Sequence, residues 1–238
     1  MSRCQVCRAL TAQTDPMQSS PLPENHRSGF IALIGRPNVG KSTLVNQLVG
    51  DKVAITSPVA QTTRNRLRAI LTTPTAQLIL VDTPGIHKPH HLLGERLVQS
   101  ARAAIGEVDQ VLLLLEGHQP PGRGDAFIVN LLRQQRLPVQ VVLNKWDLVP
   151  VDRKPEADAA YRALLADTEW PVHHCSALDG AGCPELVSAI SALMPEGPRL
   201  YPAEMVSDQP ERLLMAELIR EQVPVSYTHL RAHETPCH

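Results

Sequence analysis

The octapeptide Gly35-Arg36-Pro37-Asn38-Val39-Gly40-Lys41-Ser42 constrains this chain more than any other stretch. An apolar run at residues 30–34 precedes it and an amphipathic segment at 41–49 follows it, so a strand enters the loop and a helix leaves it. Its spacing, GxxxxGKS, lets main-chain N–H groups curl around an anion, and the helix opening near Lys41 aims the positive end of its dipole at the same point. The strand–loop–helix setting separates this loop from an ordinary glycine-rich turn and makes the anion a phosphate. Lys41 is suited to neutralise β- and γ-oxygens and Ser42 to ligate Mg²⁺; Thr43, the next helical residue, is counted with the nucleotide contacts.

Beyond this loop, short apolar runs alternate with amphipathic segments, which predicts an α/β domain. Strands are expected near 30–34, 67–72, 77–81, 110–116, 139–144 and 172–175, and helices near 41–49, 94–104, 122–136, 156–167 and 183–193. The fold expected is that of a P-loop NTPase, a mostly parallel six-stranded sheet with helices on both faces. Residues 1–28, rich in Gln, Ser, Thr and Pro and without periodicity, read as an unstructured extension, so the nucleotide domain is expected over 29–194. Pro195, Gly197, Pro198 and Pro202 punctuate a linker. Asp208 then suits the N-cap of a helix over 210–222, whose apolar stripe Leu214, Met215, Leu218 and Ile219 needs a partner surface. Residues 195–223 therefore read as a linker and the first helix of a second, uncompleted domain, and 224–238 as a non-native or disordered tail.

Composition narrows the function. The 238 residues carry 23 Lys+Arg against 24 Asp+Glu, which lacks the electrostatic footprint of a bulk nucleic-acid binder. Aromatics at 3% are too few for base-stacking platforms. The longest aliphatic runs, Ile31 to Ile34 and Val111 to Leu115, fall far below the ~20 residues of a membrane helix. Five cysteines without a repeating framework read as free thiols in a reducing compartment, and the lone Cys4-x-x-Cys7 lacks the second pair that a zinc site needs.

Three further elements specify the ligand. Asp82-Thr83-Pro84-Gly85 closes an apolar strand: Asp82 is placed to hold Mg²⁺ through water, and Gly85 can offer its N–H to a γ-phosphate. Asn144-Lys145-Trp146-Asp147 closes another strand. The Asp147 carboxylate can accept both the ring N–H and the exocyclic amine of guanine, whereas adenine offers no matching donor pair and would leave the carboxylate unpaired. Ser176-Ala177-Leu178, after a later strand, resembles the loop whose backbone backs the guanine carbonyl. Between the first two elements, Gln61-Thr62-Thr63-Arg64 reads as a first switch loop, with Thr62 or Thr63 completing the Mg²⁺ shell.

The stretches GRPNVGKSTLVNQLVG, AQTTRNRLR, DTPGIHKPHHLLGERL, GRGDAFI and NKWDL resemble the Era-type GTPases of bacteria, within the TrmE–Era–Der group. YPAEMVSDQPERLLMAELIREQ resembles the start of their C-terminal KH-type RNA-binding domain. The resemblance runs from Gly29 to about Val223 and favours Thr63 over Thr62. It implies GTP and GDP as ligands, Mg²⁺ as cofactor, GTP hydrolysis, and a role in maturing the small ribosomal subunit through its 16S rRNA. It also implies a cytoplasmic monomer with peripheral association at the inner face of the membrane. Relatives with Asn at the position of Asn38 recruit K⁺ beside the phosphates, which makes K⁺ an expected activator. In that reading Lys41, Thr63 and Gly85 serve the transferring phosphoryl group.

Two departures stand out. Ile86 occupies the position where Ras-like enzymes place a water-orienting Gln, so intrinsic hydrolysis is expected to be slow. From Val225 onward, VSYTHLRAHETPCH abandons the family pattern, and RNA binding is expected to be lost with the missing KH loop. His229, His233, Cys237 and His238 are accordingly not expected to form a metal site. Two other classes stay open: a guanine-nucleotide-binding interaction module with negligible turnover, and an ATP-dependent kinase or ATPase sharing only the phosphate loop. Among the remaining basic groups, His87, His90 and His91 are expected on a mobile second switch, His173 and His174 as packing or surface groups. Arg64, Arg66 and Arg68 are expected on a solvated edge strand, RNA contact being the sharper alternative.

Overall fold

The structure, a computed structural model, describes residues 23, 25–54, 67–83 and 105–209. Six strands, β1 (Arg27–Gly35), β2 (Leu67–Thr72), β3 (Ala76–Asp82), β4 (Gln110–Glu116), β5 (Val139–Asn144) and β6 (Val172–His174), form one sheet in the order β2-β3-β1-β4-β5-β6. All neighbours pair parallel except β2 with β3, which pair antiparallel. Four α-helices lie wholly within the described residues: α1 (Lys41–Val49), α2 (Arg123–Arg133), α3 (Lys154–Leu164) and α4 (Cys183–Ala192).

Side chains alternate across a strand, and here both faces are apolar, the pattern of a sheet covered on both sides. Ile31, Leu33, Leu78, Leu80, Leu112, Leu114 and Val142 point to one face, where they pack with Leu44, Val45 and Leu48 of α1 and Leu186 and Ile190 of α4. Ala32, Ile34, Val111, Leu113, Leu115, Val141 and Leu143 point to the other, under Ile128, Val129 and Leu132 of α2 and Tyr161 of α3. Because the strands are parallel, Gly35, Asp82, Glu116, Asn144 and His174 all end at one edge of the sheet, where open α/β sheets bind ligands.

Several boundaries differ from expectation. Strand β1 begins at Arg27, ahead of the expected boundary at Gly29. Its polar opening carries no apolar signal; it is held instead by Ser28 N–H donating to Pro195 O at 3.0 Å, Ser28 Oγ to Pro198 O at 2.7 Å and Arg27 Nη1 to Met194 O at 2.6 Å. Helix α3 starts at Lys154, two residues before the expected 156, because Pro155 suits the first helical turn. Helix α2 stops at Arg133, ahead of the expected 136, since the polar run after it buries nothing. The expected helix over 94–104 and that over 210–222 lie outside the described residues, as do His87, His90, His91, His229, His233 and His238.

Residues 195–209, expected as a linker, lie along the domain. The buried Gln77 side chain organises this docking: its Oε1 accepts from Leu200 N–H at 2.7 Å and Tyr201 N–H at 2.9 Å, while its Nε2 donates to Tyr201 O at 2.9 Å. Further on, Ile70 N–H donates to Val206 O at 2.9 Å, and Ala69 forms an antiparallel bridge with Ser207. The outer edge of β2 is thereby covered. Arg68 of that strand pairs with Asp208, the residue expected to cap a helix over 210–222, at 3.4 Å. Arg64 and Arg66 lie outside the described residues.

Candidate nucleotide-binding site

The loop between β1 and α1 has the shape its sequence demands. Asn38 takes φ 65° and Gly40 φ 97°, both left-handed; Asn tolerates that region, and Gly is the residue that adopts it without strain. A Cβ on Gly40 would also collide with Nδ2 of Asn144. Lys41 is buried and folds back over the loop, donating through Nζ to Arg36 O at 2.9 Å and Gly35 O at 3.2 Å. Burial pulls its ammonium down to about 8, with the nearby Asp82 carboxylate opposing the shift. An ammonium destabilised in this way gains strongly from an anion that restores its partner.

Ser42 Oγ donates to Asp82 Oδ2 at 2.8 Å, and both residues are buried. A hydroxyl and a carboxylate meeting beside a phosphate loop are hard oxygen ligands of the kind Mg²⁺ takes together with waters and phosphate oxygens. Among the described residues no group of three or more His, Cys, Asp or Glu is arranged to hold a metal ion, and a Mg²⁺–nucleotide site does not need one. Thr83, next to Asp82, donates from Oγ1 to Leu33 O at 2.7 Å and so ties the end of β3 to β1. Pro84, Gly85, Ile86, Thr62 and Thr63 lie outside the described residues.

Across the sheet edge, Asn144 joins two loops. Its Nδ2 donates to Val39 O at 2.8 Å and its Oδ1 accepts from Ala177 N–H at 2.9 Å, with the side chain buried. Lys145 then takes φ 59°, turning the chain out of β5 into the short helix Trp146–Leu148. The result is a pocket of about 270 Å³ lined by Gly40, Thr43, Asn144, Lys145, Asp147, Leu148, Ala177 and Leu178. Its size suits a purine, and Asp147 supplies a carboxylate on its wall. Residues from the phosphate loop, the Asn144–Asp147 stretch and the Ser176–Leu178 stretch, far apart in sequence, thus share one cavity. Ser176 is buried, and Leu178, on the pocket wall, is exposed. Pro37 belongs to the turn of the same loop.

A family profile described as "50S ribosome-binding GTPase" matches residues 30–145. The GTPase Era of Rippkaea orientalis is 52% identical over 217 residues, covering 90% of this chain and 69% of that protein. The chain belongs to the Era GTPase family. Era of Synechocystis sp. (strain PCC 6803) is 56% identical over 201 residues, 84% of this chain. The chain spans 64% of the length of that relative. Among solved structures, Era in complex with MgGDPNP and nucleotides 1506–1542 of 16S ribosomal RNA superposes with a TM-score of 0.75 at 38% identity, covering 82% of this chain and 66% of that one. Aquifex aeolicus Era bound to GDP.AlF4- gives 0.74, also at 38% identity. The fold is therefore the P-loop GTPase fold of the Era family, as the sequence led one to expect.

Sequence reading passed over Glu116 and Asp125. Glu116 is the sole charged residue of β4 and ends at the ligand edge, and Asp125 sits three residues after Gly122 at the start of α2, a capping position. Those two signals were available in the chain. The pairing of these acids with Arg36 and Lys145 was not, because it spans four separate elements. His174 likewise gains its neighbours only in three dimensions, with Asp158 at 2.8 Å and the Trp146 ring at 4.2 Å. His173 is part-buried, and burial, helped by His174, lowers its pKa.

Proposed function

We propose that this chain is a Mg²⁺-dependent switch that binds GTP and GDP and hydrolyses GTP. The observation that carries the reading is Asn144, whose one side chain joins Val39 of the phosphate loop to Ala177 of the base loop around a pocket walled by Asp147. Gly35, Arg36, Pro37, Asn38, Val39 and Gly40 present the loop to the phosphates, and Lys41 stabilises negative charge there. Ser42 and Asp82 would hold Mg²⁺, which when bound offsets charge on the phosphate oxygens; Thr63 would join them in the GTP state. Gly85 is assigned to the γ-phosphate by its N–H. Water is the nucleophile, and K⁺ near Asn38 is the activator proposed in place of a glutamine at Ile86.

A role in assembling the small ribosomal subunit, with 16S rRNA as partner, is proposed on kinship with Era, which has been solved with that RNA. Buried free thiols at Cys175 and Cys183 support a reducing, cytoplasmic setting. No helix among the described residues is long and apolar enough to cross a membrane, and peripheral association at its inner face is proposed on kinship alone, as is a monomeric state.

Calorimetry with GDP, GTP and ATP tests the ligand: binding of both guanine nucleotides and no competition by ATP are expected, with Asp147→Asn weakening GDP by about a hundredfold or more, since a lost donor–acceptor match discriminates strongly. Phosphate release from GTP, faster in K⁺ than in Na⁺ and abolished in Lys41→Ala, tests turnover. Binding without release in either salt would favour the interaction module to which the hydrophobic Ile86 points.

A further inference from the structure

Four charges lie side by side, one from each of four elements, and one of them, Lys145, also lines the pocket. Arg36 of the phosphate loop donates from Nε to Asp125 Oδ1 at 2.8 Å, and its Nη2 lies 3.8 Å from Glu116 Oε2. Lys145 of the base loop donates through Nζ to the other oxygen of the same Glu116 carboxylate. Asp125 is fully buried and spends its second oxygen on Gly122 N–H at 2.8 Å, which caps α2. The position of Glu116 is itself secured, because the buried Tyr161 hydroxyl shares its one proton between Glu116 O at 2.9 Å and Gln119 O at 3.0 Å. Gly124 leaves room for the arrangement: a Cβ there would stand 2.8 Å from Cδ of Arg36. The GRGD stretch of the sequence thus has a use that the nucleotide contacts alone do not account for.

We propose that Glu116 and Asp125 are positioning residues of the nucleotide site. Glu116 stands between a cation of the phosphate half and a cation of the base half, and Asp125 anchors the first of these to α2, so the two halves are held at one spacing. The charges sum to zero and are mostly withdrawn from water, a setting in which removing one member leaves its partner poorly compensated. Without the Glu116 carboxylate, Arg36 and Lys145 would face each other and part, carrying their loops with them. This inference rests on the guanine-nucleotide reading above and adds to it a link between base recognition and phosphate recognition.

The test is a double-mutant cycle read by GDP calorimetry on the full chain with Mg²⁺. Arg36→Ala and Lys145→Ala change part-exposed side chains, so both variants are expected to fold. Each should weaken GDP, and the double variant should be at least threefold tighter than the product of the two penalties predicts, because both act through one carboxylate. In a Glu116→Gln background, itself about tenfold weaker, the same two penalties should become additive. Asp125→Asn should weaken GDP severalfold, and Arg36→Lys should restore less than half of the loss in Arg36→Ala, since the second contact needs the guanidinium fork. Should Glu116→Gln fail to fold, the cycle in the otherwise unchanged chain still decides. Additive penalties in a chain that binds GDP would overturn this inference alone; no GDP heat from the unaltered chain would overturn the guanine reading, and this inference with it.

Discussion

The Ser42 hydroxyl donates to the Asp82 carboxylate across 2.8 Å, joining the first turn of α1 to the carboxyl end of β3. The two residues lie 40 positions apart in the chain and meet because β1 and β3 are parallel neighbours, with Asp82 at the end of β3 opposite Leu33, two residues before β1 ends at Gly35. A hydrogen bond of this kind presets the spacing of the two groups proposed for Mg²⁺, Ser42 directly and Asp82 through water, before any ion arrives, which would lower the ordering cost of binding. Asp82→Asn keeps the side chain's size but removes its charge. It is expected to raise the Mg²⁺ concentration needed for half-maximal GDP-dependent stabilisation by about tenfold. Melting temperature against Mg²⁺ at fixed GDP measures this, and an unchanged midpoint would refute the assignment.

Lys41 is expected to make nucleotide binding pH-dependent. Its folded pKa, about 8 in place of 10.5, is lowered by burial, so the unfolded chain binds more protons between these values. The buried charge therefore destabilises the ligand-free protein fully below pH 8, and the penalty is relieved as pH rises toward 10.5. A bound phosphate favours the ammonium, so complex formation above pH 8 takes up a proton and affinity for GDP falls as pH rises, by at most about tenfold per unit. Calorimetry at pH 9 in two buffers of different ionisation enthalpy should report that proton, and Lys41→Met should not.

Asn144 is expected to matter for stability as well as for binding. Asn144→Ala would strand Val39 O and Ala177 N–H, both of which it now satisfies, at a cost of about 1–3 kcal/mol for a buried group left without its partner. Denaturant unfolding without nucleotide measures the loss. GDP affinity should fall too, because the loops on either side of the pocket lose their common anchor. A variant as stable as the unaltered chain would contradict the role assigned here.

Gln77 holds the chain after α4 against the sheet through three hydrogen bonds to Leu200 and Tyr201. Gln77→Leu keeps the volume and deletes those bonds. Amide exchange at Leu200 and Tyr201 should accelerate by about tenfold or more, while amides of β1 and β4 keep their protection. Equal acceleration across the sheet would mean that Gln77 supports the core and not the docked segment.

Much of this was readable in the chain, for local reasons. β4 and β5 fall where their apolar runs predict, since a strand covered on both faces needs such a run and little else; β2, at the sheet edge with only Ala69 and Ile70 buried, also keeps its expected bounds. The phosphate loop, Asp82 and the Asn144–Asp147 stretch stand out because their chemistry demands particular residues at fixed spacing. The start of β1 and the docking of residues 195–209 were hidden for the opposite reason. Both are held by polar, long-range bonds from Ser28 and Gln77, and a Gln in an apolar strand does not announce which main chain it will meet.

What the sequence determined by itself is therefore the mostly parallel α/β sheet and where the candidate site residues fall along it, because local pattern and side-chain chemistry suffice for those. Only the tertiary structure decided how the pieces act together: that Asn144 spans two loops, that Ser42 meets Asp82, and that Glu116 stands between Arg36 and Lys145. Each of these depends on strand order and register. A side chain's hydrogen bonds and ion pairs reach only a few ångströms, so which partners they find is settled by the strands that end beside it.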